Sequence, residues 1–508
     1  MTLENTGVTF QTSDLMVQKL YDTAEGKCLE NIKDFAGRKV LIEGGGYEKI
    51  WLETQPMGGE MYAKRDMEAG LNNQLLFMET QREDGRIPGS IAMIDGVLTP
   101  QFNKFQGFCF PAPALNMYYL TGKDRTYLEQ LYDTLERFDA YLWAVRDSDN
   151  DGCLESFCKY DTGEDHAMRY YDAPDAWEEE IPPTGCKVVP MASMDIMSYS
   201  YSARNTLAQI SRIFMEEKHS MEEKHSRKER HSMVEKHSGE EKYFGKDKFS
   251  RENWEVVWRQ KALMVQQKMK DYLWNEEKGA LYDRDKSHKE MPVLVHNNLR
   301  TMYWNSITPV MAKRFVEEHL LNPLEFWTTM PLPSVAANDP LFRNVTTNNW
   351  SGQAEALTYQ RAIRALENYD YQWILPALGK KLFQAIGEEC VFVQQYDPFT
   401  GRPSAVSLEG KQDAYGPAML SVLEYISRMY GVHLEKDVIY WGTVGGNESV
   451  YEQVWGDQTY RLENGKNGGT GYLNGKEIFK VEADLQVITD TNGDIRRINK
   501  LGAYTGLL

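Results

Sequence analysis

Residues 152–170 read GCLESFCKYDTGEDHAMRY. The stretch sets Glu155, Asp161, Glu164 and Asp165 among aromatic residues without helical periodicity, and Arg169 follows Asp165 by four positions. Carboxylates beside aromatic rings suit sugar chemistry, because rings stack on C–H faces and one carboxyl group can protonate a leaving oxygen. The other reading is a polar surface loop whose acids meet only water. The stretch by itself leaves both open.

The surrounding chain narrows the choice. Its 508 residues are 42% hydrophobic, with 12 Trp, 29 Tyr and 19 Phe, enough for a large core and for an aromatic cleft. That length holds several ordinary domains or one large helical barrel. A net charge of −18, from 57 basic and 75 acidic residues, repels phosphates and anionic lipid. Neither nucleic acid nor a membrane is an expected partner; an oligosaccharide or small glycoside is. The N-terminal Met1-Thr-Leu-Glu-Asn-Thr-Gly7 carries no leader pattern, and no apolar run approaches the roughly 18 residues of a span. Cys28, Cys109, Cys153, Cys158, Cys186 and Cys390 form no CxxC pair, so reduced thiols in a cytoplasm are the expectation, with neither cofactor nor resident metal.

Helical periodicity recurs through most of the chain, beginning near Leu15 and returning at 128–145, 194–213, 254–273, 354–366, 373–386 and 418–430. Loops rich in Gly, Pro, Asn and Asp separate these runs. Helix, loop, helix and long loop in succession predict antiparallel helical hairpins, not an alternation of strand and helix. An all-α catalytic domain is expected over 1–455. From about Tyr460 onward, Asn-Gly and Gly-Gly turns part short β-prone runs at 478–481 and 485–489, so 456–508 is expected to be a small β appendage. Residues 215–238 hold four copies of a six-residue unit (MEEKHS, MEEKHS, RKERHS, MVEKHS) carrying His219, His225, His231 and His237. A six-residue step turns about 240° around a helix, which scatters the histidines. The segment 215–243 is therefore expected to be a solvated insertion in a connector.

Five phrases together resemble the six-hairpin glycosidases of glycoside hydrolase family 63 and the mannosylglycerate-hydrolase-like group. Arg146-Asp-Ser-Asp-Asn-Asp-Gly152 is similar to that group's Arg-Asp-x-Asp-x-Asp-Gly run, and Gly163-Glu-Asp165-His-Ala-Met-Arg169 to its Gly-Trp-Asp-Asn-Ser-Pro-Arg motif. Leu273-Trp274 through Asp283, Trp350-Ser-Gly352 and Phe392-Val-Gln-Gln-Tyr396 through Gly401 match three later blocks in order. The resemblance covers roughly 60–435. It implies an (α/α)6 barrel with the active site at one mouth, and Asp165 as general acid. It also places Asp66 on a terminal sugar. Gln81-Arg-Glu-Asp-Gly-Arg-Ile-Pro88 resembles a structural turn of the group.

Two positions depart from the pattern. Gln394 stands where the group has its general-base Glu, and an amide has no basic site at neutral pH; Ser351 replaces an Arg. The substitute base is expected to be Glu355, near Trp350, with Asp413 as second choice. Asp161 and Glu164 are expected to raise the Asp165 pKa by repulsion. Arg169 is expected to bind a sugar hydroxyl or hold Asp161. Trp350, Gln394 and Tyr396 complete the expected substrate contacts, a core role being the alternative for Trp350 and an N-cap for Asp66. Asp147-Ser-Asp-Asn-Asp151-Gly152 starts like a calcium loop, but Cys158 occupies the position of its closing Glu.

The sequence thus points to an exo-acting, inverting glycoside hydrolase on a small, α-linked gluco- or manno-configured saccharide. A glycoside phosphorylase and a sugar-binding protein that has lost its base are the alternatives.

Overall fold

A computed structural model describes residues 5–232, 253–347, 349–404 and 412–502, with the backbone alone over 219–232. Among these residues twelve α-helices alternate between two environments. They are α1 (Leu15–Glu30), α2 (Gln55–Tyr62), α3 (Met67–Glu79), α4 (Pro111–Leu120), α5 (Arg125–Val145), α6 (Met194–Ser232), α7 (Trp254–Lys268), α8 (Asn297–Tyr303), α9 (Pro309–Arg314), α10 (Ala356–Glu367), α11 (Leu375–Gly387) and α12 (Gly416–Tyr430). Each even-numbered helix touches the next, and α12 returns to α2, so they close an inner ring. The odd-numbered helices lie outside: α1 packs on α12 and α11, α3 on α2, α5 on α6, and α7 on α6.

Burial follows from these positions. Every residue of α2, α8 and α12 is buried, as a helix enclosed on all sides requires. The outer α5 instead buries one stripe, Leu128, Leu131, Leu135, Phe138 and Leu142, and shows water its other face. Inner helices α2, α4 and α12 start with Pro at the first or second position, where the missing N–H costs nothing.

The all-α expectation needs correction. Strands Ser449–Trp455, Gln458–Gly465, Gly468–Leu473 and Lys476–Glu482 form an antiparallel sheet whose edge is the N-terminal strand Thr6–Thr12. A second sheet joins Val432–Glu435, Val438–Gly442, Leu485–Asp490 and Ile495–Lys500. Trp441 of the second sheet meets Tyr460 and Phe479 of the first, with ring centroids 6.0 and 5.3 Å apart. The β unit thus begins at Val432, directly after α12, not at 456, and recruits the opposite end of the chain. The alternation in Ser449–Trp455, buried at every second residue, is its plainest sequence sign. The connector reading of the repeat also changes: α6 runs unbroken through its first three copies to Ser232, while the fourth copy and the rest of 233–252 lie outside the described residues.

Phe10 ties the sheets to the toroid. It is buried against Tyr21 of α1 and Tyr430 of α12, at 5.2 and 6.3 Å, and against Tyr451 at 6.2 Å. Removing a ring so enclosed leaves a cavity. Phe10→Ala is expected to cost about 3–5 kcal/mol, read as a lowered urea midpoint that moves the sheet and helix signals together.

Candidate active site

A cavity of about 200 Å³ lies where the inner helices begin. Its wall comes from the segments that precede them: Glu43, Tyr47, Trp51 and Glu53 before α2; Lys104 and Gln106 before α4; Tyr160, Gly163 and Asp165 before α6; Trp350 before α10; Gln394 and Tyr415 before α12. Five aromatic side chains and three carboxylates share this space. Trp350 lines it and holds a buried indole N–H that has no hydrogen-bond partner among the described residues.

The loop carrying Asp165 is held from several sides. Trp350 N–H donates to the Asp165 carbonyl at 2.9 Å. The Met168 N–H donates to the Ser351 hydroxyl at 2.9 Å, so the serine that replaces an expected Arg clips the loop in place. Arg300 donates to the Thr162 carbonyl at 2.6 Å. Gly163 has φ +73°, and a Cβ there would strike the Glu53 carboxylate. Only glycine meets both conditions.

Beneath the cavity lies a buried ionic network. Arg169 pairs with Glu164 and Asp283 and stands 3.2 Å from Asp195. Arg300 stands 3.8 Å from Asp195 and 3.7 Å from Glu53, and Arg361 closes on Glu53 at 3.0 Å. Burial alone would raise Glu164, but Arg169, Arg300 and His296 outweigh it and hold the carboxyl well below its usual range. Burial pushes Glu53 up to about 7 against the pull of Arg361 and Arg300.

Several expected roles change on this geometry. Asp161 is fully buried, pairs with Arg146 at 2.5 Å and accepts from the Phe157 N–H at 2.9 Å; it holds the loop and does not line the cavity. Arg169 and Glu164 belong to the network, so neither reaches a sugar from the cavity wall. The carboxylates that share the cavity with Asp165 are Glu43 and Glu53, not Asp161 and Glu164. Asp66 caps α3 by accepting from the Ala69 N–H at 3.0 Å and pairs with Lys39 at 3.1 Å. The Tyr396 hydroxyl is spent on its own loop, donating to the Val391 carbonyl and accepting from the Val393 N–H. Trp350 and Gln394 do line the cavity.

Glu355 is fully buried just before α10 and accepts from the Gln395 amide at 2.6 Å. The residue is not part of the cavity lining, its second oxygen has no hydrogen-bond partner among the described residues, and burial first, then the nearby Asp165 charge, push its carboxyl well above its usual range. Asp413 is held by Lys27 and by the Phe392 N–H at 2.8 Å. Sequence reasoning passed over Glu43 and Glu53, although the run Glu43-Gly-Gly-Gly-Tyr47 was a turn signal beside an acid. The Asp-rich turn before Gly152 folds on its own backbone, Asp147 accepting from Gly152 N–H at 3.1 Å and Asp151 from Cys153 N–H at 2.7 Å. Ligand atoms of Asp149, Asp151 and His288 lie within 4.8 Å of one another, with Lys268 3.6 Å from Asp151. Among the described residues no helix is long and apolar enough to cross a membrane.

Comparison with known proteins agrees with this architecture. Residues 60–415 match the family model of the mannosylglycerate hydrolase MGH1-like glycoside hydrolase domain. No curated protein matches in sequence. The fold is similar to that of a family 63 mannosylglycerate hydrolase from Thermus thermophilus, with TM-score 0.59 and 14% identity over 80% of this chain and all of that one. It is also similar to a protein titled sialidase (TM-score 0.68, 13% identity, 96% of this chain and 42% of that one). An α-L-rhamnosidase from Dictyoglumus thermophilum gives TM-score 0.54 at 12% identity over 97% of this chain and 49% of its own. With the family model spanning most of the toroid and the carboxylate-lined cavity at its mouth, the chain belongs to the MGH1-like glycoside hydrolases and is a glycosidase.

Proposed function

We propose that the protein is an exo-acting, inverting glycoside hydrolase that removes one sugar from a small α-linked gluco- or manno-configured saccharide, with Asp165 as general acid. The observation that carries the reading is the placement of Asp165 on the wall of an aromatic cavity with two further carboxylates. At about 200 Å³ the cavity is smaller than the roughly 300–1,000 Å³ of drug-sized ligand sites. Such a space suits one terminal ring and not a polymer passing through. Trp51, Tyr160 and Trp350 bring aromatic rings to the cavity, and Gln106 and Gln394 bring amide groups that can partner hydroxyls. Structural neighbours named for mannosylglycerate and L-rhamnose favour small substrates of related configuration.

Cleavage needs a proton on the departing oxygen and water on the opposite face of the anomeric carbon. Asp165 would donate the proton as the C–O bond breaks. Phosphorolysis is the second reading, favoured by Gln394 at the usual base position and by Lys104 on the cavity wall. There, phosphate would attack without a base.

Three results test this assignment. A panel of α-linked disaccharides, mannosylglycerate and aryl α-glycosides, followed by proton NMR with and without inorganic phosphate, is expected to give free sugar of inverted anomeric configuration in both conditions. Sugar phosphate formed only with phosphate present would overturn hydrolysis. Asp165→Asn is expected to lower turnover of the cleaved substrate by roughly 10²–10⁴-fold with an unchanged thermal melt. Asp161→Asn is expected to behave in the opposite sense: it uncouples the buried Arg146 and lowers stability by about 3–5 kcal/mol, seen in the melt.

A further inference from the structure

We propose that Glu43 is the general base, taking over in space the function that Gln394 cannot perform in its place in the sequence. The inference rests on Asp165 being the acid and names the second half of that pair.

Of the carboxylates on the cavity wall other than Asp165, Glu53 is committed. One of its oxygens is held between Arg361 at 3.0 Å and Arg300 at 3.7 Å, and its side chain packs against Gly107 and Gly163. Glu43 is not so bound. Among the described residues its carboxylate takes one hydrogen bond, from the Tyr415 hydroxyl to Oε1 at 3.1 Å, which leaves Oε2 for water. The same side of the cavity holds Gln394, whose amide oxygen accepts from the Tyr47 hydroxyl at 3.0 Å. The Tyr47 and Tyr415 rings meet edge to face at 6.4 Å. Glu43 and Gln394 are thus neighbours across one pair of tyrosines.

The backbone delivers Glu43 there rigidly. Its N–H donates to the Lys49 carbonyl at 3.1 Å, and its carbonyl accepts from Gly416 N–H at the start of α12 at 2.6 Å. Gly44, Gly45 and Gly46 then turn through φ +72°, +62° and +92°, a left-handed path that β-carbons resist. A Cβ on Gly45 would also touch Tyr415, the residue that holds the carboxylate. Position 43 precedes the 60–415 match to the family, so no family motif points to it.

The chemistry balances. Burial first, then the charges of Glu53 and Asp165, push the Glu43 carboxyl well above its usual range. General acid and general base act from opposite forms, so the reaction starts from protonated Asp165 and ionised Glu43. Water adds to the anomeric carbon as its proton passes to Glu43, the glycosidic C–O bond breaks, and the Asp165 proton goes to the leaving oxygen. The pair ends with one proton, now on Glu43, and its return to Asp165 resets the site.

Glycosyl fluorides test the base apart from the acid, because fluoride leaves without protonation. The probes are α-D-glucosyl, α-D-mannosyl and α-L-rhamnosyl fluoride. Glu43→Ala is expected to lose roughly 10²–10⁴-fold on whichever fluoride the wild type hydrolyses, and to regain turnover with added azide, yielding the glycosyl azide of inverted configuration. Glu43→Gln, which preserves a partner for Tyr415, is expected to lose hydrolysis to the same extent with an unchanged melt. Fluoride hydrolysis by Glu43→Gln within a few-fold of wild type overturns the proposal, as does a folded Glu43→Ala that azide does not rescue. Asp165→Asn reports separately on the acid. Its glycoside rate should fall far more than its fluoride rate, and equal losses on both would remove the acid assignment without touching the result for Glu43.

Discussion

The site depends on a row of buried charges that runs from Asp283 through Arg169, Asp195 and Arg300 to Glu53 and Arg361. No member of it is more than a few per cent exposed. Buried ions of one sign are tolerated only with partners in good geometry, so each group fixes the next, and the row as a whole fixes Glu53 at the cavity. Arg300 connects the two halves, since it also donates to the Thr162 carbonyl in the Asp165 loop. The Asp165 loop and the Glu53 carboxylate beside it are therefore positioned by one electrostatic constraint.

The toroid supplies the frame on which this constraint acts. Six buried inner helices start at one end of the molecule, and the segments leading into five of them bring one or more groups to the cavity. Long connections are needed at that end because each must reach from the outer layer, cross the mouth and enter an inner helix. This geometry lets residues as far apart in sequence as Glu43 and Tyr415 share a hydrogen bond. It also lets a lost carboxylate at one entry be replaced from another, without disturbing the helices themselves.

The β unit bears on the same frame from outside. Strand Thr6–Thr12 crosses from the N-terminus to pair with Ser449–Trp455, which links the first helix to the sheets that follow the last. Because α1 packs on α11 and α12, this link seals the toroid where its first and last hairpins meet. Phe10 is the contact at which the three parts converge.

Much of the helical layout was legible in the sequence, because apolar spacing records which face of a helix is buried, and the stripe from Leu128 to Leu142 is local information. The Asp165 loop was legible through motif order. The roles of Asp161 and Arg169 were not, and Asp66 stayed open between a sugar contact and the helix cap it turns out to be, since a carboxylate that caps a helix or neutralises a buried arginine has the same local sequence as one that meets a substrate. The strand Thr6–Thr12 was missed for a related reason: its partner lies more than 430 residues away, and strand pairing leaves little trace in one strand alone. The linear chain already specifies a helical toroid with an acid on the loop before α6. Which carboxylates face the cavity is settled in three dimensions, because that depends on where separate loops converge and which arginines reach them first.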